Sequence, residues 1–169
     1  ANGAFRVVKK YLDTVYLWEK VRVQGGAYGC PSVYDLNTGV FAFASYRDPN
    51  LGRTLEVYDA ASDFLATVEI PADELQKCIV GTLGDVDIYM LPDAKGFASL
   101  VNYLVHYTDE ERQEHRDQLL AASQSDFHSL SSALRKARDS AVTTLLTSPN
   151  GAQALPAALR EQVREIQLL

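Results

Sequence analysis

The chain has 169 residues, a formal net charge of −6 and 47% hydrophobic residues. This length suits a single domain over residues 1–169, and the composition excludes a disordered chain. An acidic chain without a basic block is a poor nucleic-acid binder, because neutralising phosphates takes clustered lysine and arginine. No apolar run approaches the roughly 20 residues of a membrane-spanning helix, so we expect neither nucleic acid nor a membrane as a partner.

Two cysteines, Cys30 and Cys78, lie far apart and form neither a CxxC motif nor a disulfide framework. This pattern predicts two buried free thiols in a reducing compartment, such as a bacterial cytoplasm or an organelle matrix. The first five residues carry neither the basic nor the apolar region of a signal peptide. A targeting segment could still precede them, so the sequence leaves the compartment unknown.

Apolar residues recur at helical spacing at the start of the chain and predict a helix from about Ala4 to about Val21. The apolar face is wide, so we expect this helix to be buried over much of its girth. The residues of this face are Phe5, Val7, Val8, Tyr11, Leu12, Val15, Tyr16, Trp18 and Val21.

Three glycines end this helix: Gly25, Gly26 and Gly29. Residues 28–35 and 40–46 then predict two strands, and the Asn-Thr-Gly turn between them tolerates positive φ, which together indicate a β-hairpin. Pro31 lies early in the first strand, where proline is accepted only at a strand start, an edge or a bulge.

Further helices are predicted from capping carboxylates or hydroxyls, from prolines at the first helical position and from a capping box. These signals are Asp48-Pro49, Pro71, Pro92-Asp93, Thr108 to Glu111 and Ser125-Asp126. Residues 141–147, AVTTLLT, predict a third strand because they are β-branched and apolar, and residues 148–151 predict a turn. A last amphipathic helix would use Leu155, Leu159, Val163 and Ile166.

About six helices and three strands predict an α+β fold, in which a small antiparallel β-sheet packs against several helices. Three strands are near the minimum for a stable sheet. The sheet edges would stand open unless another segment covers them. We therefore expect a homo-oligomer formed through the exposed sheet edge.

The stretch KVRVQGGAYG, Lys20 to Gly29, suggests a ligand site. It is not a phosphate loop, because no lysine follows the glycines, and it is not a dinucleotide fingerprint, because the helix precedes the strand. One interpretation is a plain helix-to-strand connection whose glycines permit unusual backbone angles. The other interpretation is a polar site in which Arg22 and Tyr28 lie on either side of the glycine backbone, which carries no side chains, and bind a carbonyl or a developing oxyanion.

The sequence predicts no metal site in this chain. Residues 112–116, RQEHR, resemble the inverted zinc motif HxxEH, but arginine replaces the first histidine and one ligand is missing. We expect His115 on a solvated helix face. Asp85, Asp87 and Asp93 are typical of caps and turns, and no serine lies in a GxSxG context that would indicate a serine hydrolase.

Four longer stretches resemble one family: YLWEKVRVQGGAYG, GVFAFASYRDPNLGRTLEVYD, GTLGDVDIYMLPDAKGFASL and YTDEERQEHRDQLLAAS. The family is the presequence-protease branch of the pitrilysin/insulinase-type zinc metallopeptidases, and the resemblance runs from about Tyr11 to about Pro149. It implies a sheet packed against helices, and four related domains in two halves that enclose an unfolded peptide. The zinc site with its HxxEH motif belongs to the first domain, whereas this chain resembles most of the fourth.

By motif match, the resemblance implies that Arg22 and Tyr28 reach the substrate near a zinc ion bound elsewhere in the full-length enzyme. Gly25 and Gly26 would let the backbone approach the peptide. The expected function is the C-terminal substrate-binding part of a zinc metalloendopeptidase that degrades unfolded peptides such as presequences. This part would be inactive alone, and its partner would be the N-terminal zinc-bearing half. The alternative is a non-catalytic scaffold or assembly subunit of the same fold.

Two features depart from the family pattern. The family's domain begins with further strands before the first helix, and this chain lacks them, so we expect a piece of a longer protein that is incomplete at its N-terminus. Pro31 also departs from the pattern in the strand after GGAYG.

Overall fold

A computed structural model describes residues 2–153, 155–161, 164 and 166. It is mostly helical with one small antiparallel sheet, which confirms the α+β class. The elements are α1 (Phe5–Tyr11), a π-helix (Leu12–Val23), β1 (Ser32–Tyr34), β2 (Phe41–Phe43), α2 (Leu51–Thr67), α3 (Ala72–Val86), α4 (Pro92–Leu104), α5 (Asp109–Leu120), α6 (Gln124–Ala137), a 3₁₀ turn (Arg138–Ser140), α7 (Pro149–Gln153) and α8 (Ala157–Arg160).

The first predicted helix is confirmed, but its winding changes after α1. In the π-helix the backbone N–H bonds reach five residues back, as where Gln24 N–H donates to the Glu19 carbonyl over 3.0 Å. The buried side chains are therefore four or five residues apart: Leu12, Tyr16, Leu17 and Val21. The expected burial of Val15 and Trp18 is wrong, because this winding turns both outward, to 41% and 47% exposure.

The predicted hairpin is confirmed as β1 and β2, with Val33 opposite Ala42. An isolated bridge between Gly29 and Tyr46 extends the pairing toward the preceding loop. Pro31 lies just before β1, at a strand start that proline accepts. The strands are shorter than predicted, since the ladder is regular over only three residues of each.

One carboxylate joins this hairpin to the π-helix. Asp13 accepts hydrogen bonds from the Ser32 backbone N–H over 3.0 Å and from the Ser32 hydroxyl, and it also pairs with Lys9 over 2.7 Å. Charge-assisted bonds of this kind are among the stronger ones in proteins. Asp13 therefore holds the start of β1 against the helix that precedes it.

The core lies where α2 packs against α6 and against the π-helix, and where α1 packs against α3. Its largest fully buried side chains are Val7, Val8, Leu12, Leu17, Val21, Leu65, Leu119, Phe127 and Leu130. The Tyr16 ring stacks on Phe64 with centroids 4.5 Å apart, and its hydroxyl donates to the Val57 carbonyl over 2.9 Å. The Arg53 guanidinium donates to the Gln24 side-chain oxygen over 3.1 Å, so the end of the π-helix lies close to the start of α2.

The start of α2 differs from the prediction. The helix begins at Leu51 with Asn50 as N-cap, and not at Pro49. The Asp48 carboxylate accepts the Asn50 N–H over 2.8 Å and so closes a turn ahead of the helix.

The other start signals agree better with the structure. Pro92 occupies the first position of α4, and Thr108 and Glu111 form the predicted capping box of α5. The last long helix begins slightly earlier than predicted, at Gln124, where the Asp126 carboxylate accepts the Ser123 N–H over 2.9 Å.

The predicted third strand is wrong. Residues 141–147 belong to no helix or strand and are mostly exposed, with Val142 at 92% and Leu146 at 85%. β-branched residues favour a strand only where a neighbouring strand and an apolar face receive them, and the described sheet has two strands. The predicted turn at 148–151 is part of the short helix α7.

The last predicted helix is only partly present. The structure has the short α8, and Leu155 lies before it as a buried residue. Val163 of the predicted apolar face lies outside the described residues, and Ile166 is 71% exposed.

Cys30 and Cys78 are buried free thiols, as predicted. His115, expected on a solvated face, is half-buried, and its Nδ1 lies 2.8 Å from the Tyr107 hydroxyl. Within the described residues no helix is long and apolar enough to span a membrane.

Helix α4 has no buried residue, although many of its side chains are apolar. Phe97, Tyr103 and Leu104 are between 64% and 78% exposed. Together with α1, α3, α5 and β1, this helix lines a groove of about 1530 Å³.

Candidate functional site

The candidate site begins at the loop that ends the π-helix. Ala27 N–H donates to the Val21 carbonyl over 3.1 Å, and Gly26 N–H donates to the Arg22 carbonyl over 2.9 Å. Gly26 has a φ of +80°. This is a Schellman-type cap widened by one residue, as expected at the end of a helix with π winding.

Gly25 is buried, and its lack of a side chain is a steric requirement. A Cβ at this position would lie 2.4 Å from the Val21 carbonyl oxygen, closer than packed atoms approach. The Gly25 carbonyl in turn accepts the Asn50 side-chain amide over 2.6 Å. The two glycines thus have a structural role, which is to turn the chain sharply from the helix into the hairpin.

Arg22 lies in the last turn of the π-helix and is partly exposed. Its guanidinium lies over the Trp18 ring, 4.2 Å from the centroid, and 5.7 Å from the Tyr28 centroid. Both distances fall within the range of cation–π attraction. The sharp turn therefore brings together the two polar residues that bracket the glycines in the sequence.

Tyr28 is 63% exposed, so it is not a half-buried strand residue. Its backbone N–H donates to the Tyr46 carbonyl over 3.0 Å. The rings of Tyr28 and Tyr46 meet edge to face, with centroids 6.0 Å apart. The hairpin therefore fixes the backbone of Tyr28, and its phenol faces solvent.

A second arginine, Arg47, lies on the same face. Its guanidinium is 5.8 Å from the Tyr28 centroid and 5.4 Å from the Tyr46 centroid. We call the group the aromatic–arginine patch; its members are Trp18, Arg22, Tyr28, Tyr46 and Arg47.

Of these five residues, the sequence predicts only Arg22 and Tyr28 as members of a site. The helical pattern predicts Trp18 on the buried face of the first helix. Tyr46 and Arg47 stand eighteen or more residues after Tyr28, and only the pairing of Gly29 with Tyr46 brings them beside it. The predicted hairpin is the sequence feature that could have located Tyr46 and Arg47, because the register of a hairpin determines which residues lie opposite each other.

The patch presents hydrogen-bond donors and aromatic faces to solvent. Each guanidinium carries five N–H donors, and the phenol can both donate and accept. Among the described residues, neither Arg22 nor Arg47 forms an ion pair. The arrangement can therefore bind carbonyl or carboxylate oxygens on a ligand, and the rings can pack against its apolar parts.

Two buried side-chain oxygens, the Tyr58 hydroxyl and the Asp48 Oδ2 atom, find no well-aligned hydrogen-bond partner among the described residues. Burial raises the pKa of Tyr58 to about 12, although the Ser45 side chain beside the hydroxyl acts to lower it. Burial also raises the pKa of the Cys30 thiol, and the nearby Asp13 carboxylate adds to this effect. At neutral pH both groups therefore stay protonated, and Cys30 is not an activated nucleophile.

No group of three or more His, Cys, Asp or Glu in the described part of the chain lies close enough to hold a metal ion. The residues present here do not fit a zinc site, and zinc chemistry cannot be assigned to them.

Sequence similarity places the chain in a peptidase family. The family model described as the PreP C-terminal domain matches residues 1–147, and the chain therefore belongs to this family. Several curated relatives bear the name presequence protease.

One such relative is presequence protease 1, chloroplastic/mitochondrial, of Arabidopsis thaliana, which is 45% identical over 87% of this chain and 14% of its own length. Protein HypA of Clostridium perfringens is 36% identical over 72% of this chain and 12% of its own length. The mitochondrial presequence protease of Xenopus tropicalis is 30% identical over 73% of this chain and 12% of its own length. The chain thus spans only a small part of the curated relatives it matches.

Proposed function

We propose that this chain is the C-terminal substrate-binding part of a zinc-dependent metalloendopeptidase that degrades unfolded peptides such as presequences. The observation that carries the proposal is the pair Arg22 and Tyr28, held together at an exposed position by the turn between the π-helix and the hairpin. Membership of a family whose named members include presequence proteases supports it.

In this proposal, Arg22 and Tyr28 donate hydrogen bonds to the substrate carbonyl region. Donors fixed in advance stabilise the negative charge that develops on that oxygen in the transition state, because they need not reorganise during the reaction. The cap of the π-helix fixes the backbone of Arg22, and the bond to Tyr46 fixes that of Tyr28. Gly26 leaves the exposed backbone of the turn free of a side chain, so that a peptide can approach, and the buried Gly25 lets that turn close.

In this proposal the residues that would hold the zinc ion belong to the N-terminal half of the full-length enzyme, and the bound ion would there activate a water molecule. The chain described here contributes binding and orientation only. By itself it should neither bind zinc stoichiometrically nor cleave peptides. Zinc that stays bound at one equivalent after dialysis would contradict this division of roles.

The decisive experiment changes the two donors in the full-length enzyme. Arg22→Ala or Tyr28→Phe should each lower kcat/KM for an unfolded peptide by on the order of 10²-fold, the typical effect of one lost oxyanion donor. Tyr89→Phe is the matched control, because Tyr89 is 81% exposed and lies outside the patch. Unchanged cleavage by both variants would refute the substrate-binding role and favour a structural one.

We further propose a reducing compartment for the protein, an organelle matrix or a bacterial cytoplasm. Two buried, unpaired cysteines support it, because free thiols persist where disulfides do not form. The relatives of this chain include presequence proteases named as chloroplastic/mitochondrial and as mitochondrial.

We also propose that the chain, when isolated, associates with a second copy through the edge of its sheet. In the described sheet the outer edge of β2 pairs with no strand, whereas on the outer edge of β1 the Asp13 carboxylate already accepts the Ser32 N–H. Unpaired strand edges are templates for pairing with another chain.

A further inference from the structure

Helix α4 forms part of the wall of the groove of about 1530 Å³, together with α1, α3, α5 and β1. We propose that in the full-length enzyme this groove binds the segment of the same polypeptide that comes directly before this chain. That segment is mostly apolar and carries at least one carboxylate. The inference rests on the proposed function, under which the chain is part of a longer enzyme, and it names the surface on which the preceding segment docks.

The first argument is the weak support of α4. This helix has 13 residues, and none of them is buried. Its packing against the other elements is slight, and among the described residues it forms no ion pair. A helix of about 12 to 15 residues is only marginally stable in water unless a tertiary contact supports it. Helix α4 therefore needs a further surface to pack against.

The size and the walls of the groove are the second argument. Val33, Ile88 and Tyr103 line the groove and are 53%, 63% and 78% exposed. Exposed apolar surface of this kind marks a binding face. The groove is also larger than the roughly 300 to 1,000 Å³ of most small-molecule sites. It therefore suits a stretch of polypeptide.

The third argument is where the described chain starts. The Asn2 N–H donates to the Tyr34 hydroxyl over 3.1 Å, and the Gly3 N–H donates to the Gln118 side-chain oxygen over 2.6 Å. Tyr34 lines the groove from β1, and α5, which carries Gln118, forms another part of its wall. A Cβ on Gly3 would collide with the His115 carbonyl, so glycine allows this close approach to α5. The polypeptide before Asn2 therefore enters beside the groove.

Charge favours this segment over the peptide substrate. Six lysines and arginines line the groove, and four of them pair with aspartates. Arg6 and Lys95 form no ion pair among the described residues, and the three aspartates on the walls are all taken up in those pairs. Presequences are rich in arginine and poor in acidic residues, so they would add positive charge to a positive groove. A carboxylate of the preceding segment would instead pair with Arg6 or Lys95.

Photo-cross-linking in the full-length enzyme identifies what the groove binds. Tyr103 lines the groove, and we would replace it by the photoreactive amino acid p-benzoylphenylalanine. On irradiation it should cross-link within one polypeptide to the segment directly before this chain, as located by mass spectrometry. Phe97 is the matched control, because it is an exposed aromatic residue of the same helix outside the groove. The same replacement at Phe97 should not cross-link to that segment.

Each other result of the cross-linking overturns the proposal. A cross-link from Tyr103 to an added presequence peptide would make the groove a substrate site. A cross-link to a second copy would make it an oligomer contact, and one to a distant part of the polypeptide would assign a different occupant. A cross-link to the preceding segment from Phe97 alone would place that segment on the other face of α4. No cross-link at all would leave the groove open to solvent.

A second measurement tests the charge. In the full-length enzyme, the thiol of Ser99→Cys in the groove should react with N-ethylmaleimide at least about tenfold more slowly than that of Ser132→Cys, which is exposed on α6. Adding Lys95→Glu to Ser99→Cys should raise its rate at least about threefold, because the new charge repels the carboxylate of the segment. Adding Lys136→Glu on α6 is the matched control and should leave the rate unchanged. Equal rates at the two thiols, or no effect of Lys95→Glu, would overturn the proposal.

The two proposals fail in different ways. If Tyr103 cross-links to the preceding segment but Arg22→Ala and Tyr28→Phe leave peptide cleavage unchanged, the substrate-binding role is wrong and the groove assignment stands. If these variants lower cleavage but Tyr103 does not reach that segment, only the groove assignment is wrong.

Discussion

The side-chain amide of Asn50 donates a hydrogen bond to the carbonyl oxygen of Gly25 over 2.6 Å. Asn50 is the N-cap residue of α2, yet its side chain makes no capping bond to that helix. It instead ties the glycine turn to the start of the next helix. The position of Arg22 and Tyr28 on either side of this turn therefore depends on a residue that, in the described structure, forms a hydrogen bond with neither of them.

Asn50→Asp tests this connection. Aspartate is a good N-cap but cannot donate to a carbonyl, so the bond to Gly25 is lost and the free energy of unfolding should fall by about 1 kcal/mol. Urea denaturation measures the fall. Trp18, the only tryptophan, lies in the patch, and its fluorescence should shift if the turn moves. Asn37→Asp in the exposed hairpin turn is the control, and it should cost no more than about 0.5 kcal/mol.

Gly25→Ala should destabilise the protein by about 2 kcal/mol or more. The new Cβ would meet the Val21 carbonyl oxygen at 2.4 Å, and backbone can shift only by breaking the helix cap. Gly29→Ala is the matched control, because no atom lies within 4 Å of the Cβ it would add. Thermal unfolding measures the stability of both variants. Equal unfolding temperatures would show that the turn accommodates the added Cβ of Gly25→Ala without loss of stability.

Tyr58→Phe should stabilise the protein by about 1 kcal/mol at neutral pH. It removes a buried hydroxyl that makes no well-aligned hydrogen bond among the described residues, although the Ser45 side chain lies beside it, and burying such a group without a partner is unfavourable. Tyr89→Phe removes an exposed hydroxyl and should change the free energy of unfolding little. A less stable Tyr58→Phe protein would mean that the hydroxyl is bonded after all.

The same tyrosine predicts a pH dependence. Its folded-state pKa of about 12 lies above the ordinary value of 10.0, chiefly because of burial. The unfolded chain therefore loses this proton first, and stability should fall as pH rises from about 10 to about 12. In the Tyr58→Phe protein, the free energy of unfolding should fall less steeply over this pH range. Denaturant unfolding at several alkaline pH values measures it, and equal slopes in both proteins would contradict the prediction.

The isolated chain should self-associate through its sheet edge. Ala42→Lys places a charge on β2, where Ala42 is exposed, and should give a monomer in analytical ultracentrifugation. Leu104→Glu on the exposed face of α4 is the control and should leave the association intact. A monomeric unchanged chain would refute self-association, whereas a monomer produced only by Leu104→Glu would assign the contact to α4.

Local chemistry allowed much of the fold to be predicted. The hairpin followed from its turn residues, the start of α5 from the reciprocal bonds of Thr108 and Glu111, and the start of α4 from Pro92. Each of these depends on residues only a few positions apart. The strand predicted at 141–147 was wrong because a strand needs a partner that local sequence cannot provide.

The candidate site, too, could be predicted from the sequence only in part. Arg22 and Tyr28 were named from the sequence because they flank the glycines and match a family motif, whereas their spatial contact through a widened helix cap was not foreseen. The sequence did not predict Trp18, Tyr46 and Arg47 as members of the site. The position of Trp18 depends on the winding of the helix, and the positions of Tyr46 and Arg47 depend on the strand register.

By itself, the sequence determined the class of fold, the hairpin, the free thiols and the family. Secondary-structure propensity, helix capping and family motifs each depend on residues that are close together in the sequence. Only the tertiary structure decided which face of the first helix is buried and which side chains meet at the patch. The reason is physical: the π winding brings Leu12, Tyr16, Leu17 and Val21 into the core and turns Trp18 outward. The pairing of Gly29 with Tyr46 then sets a second arginine beside Tyr28.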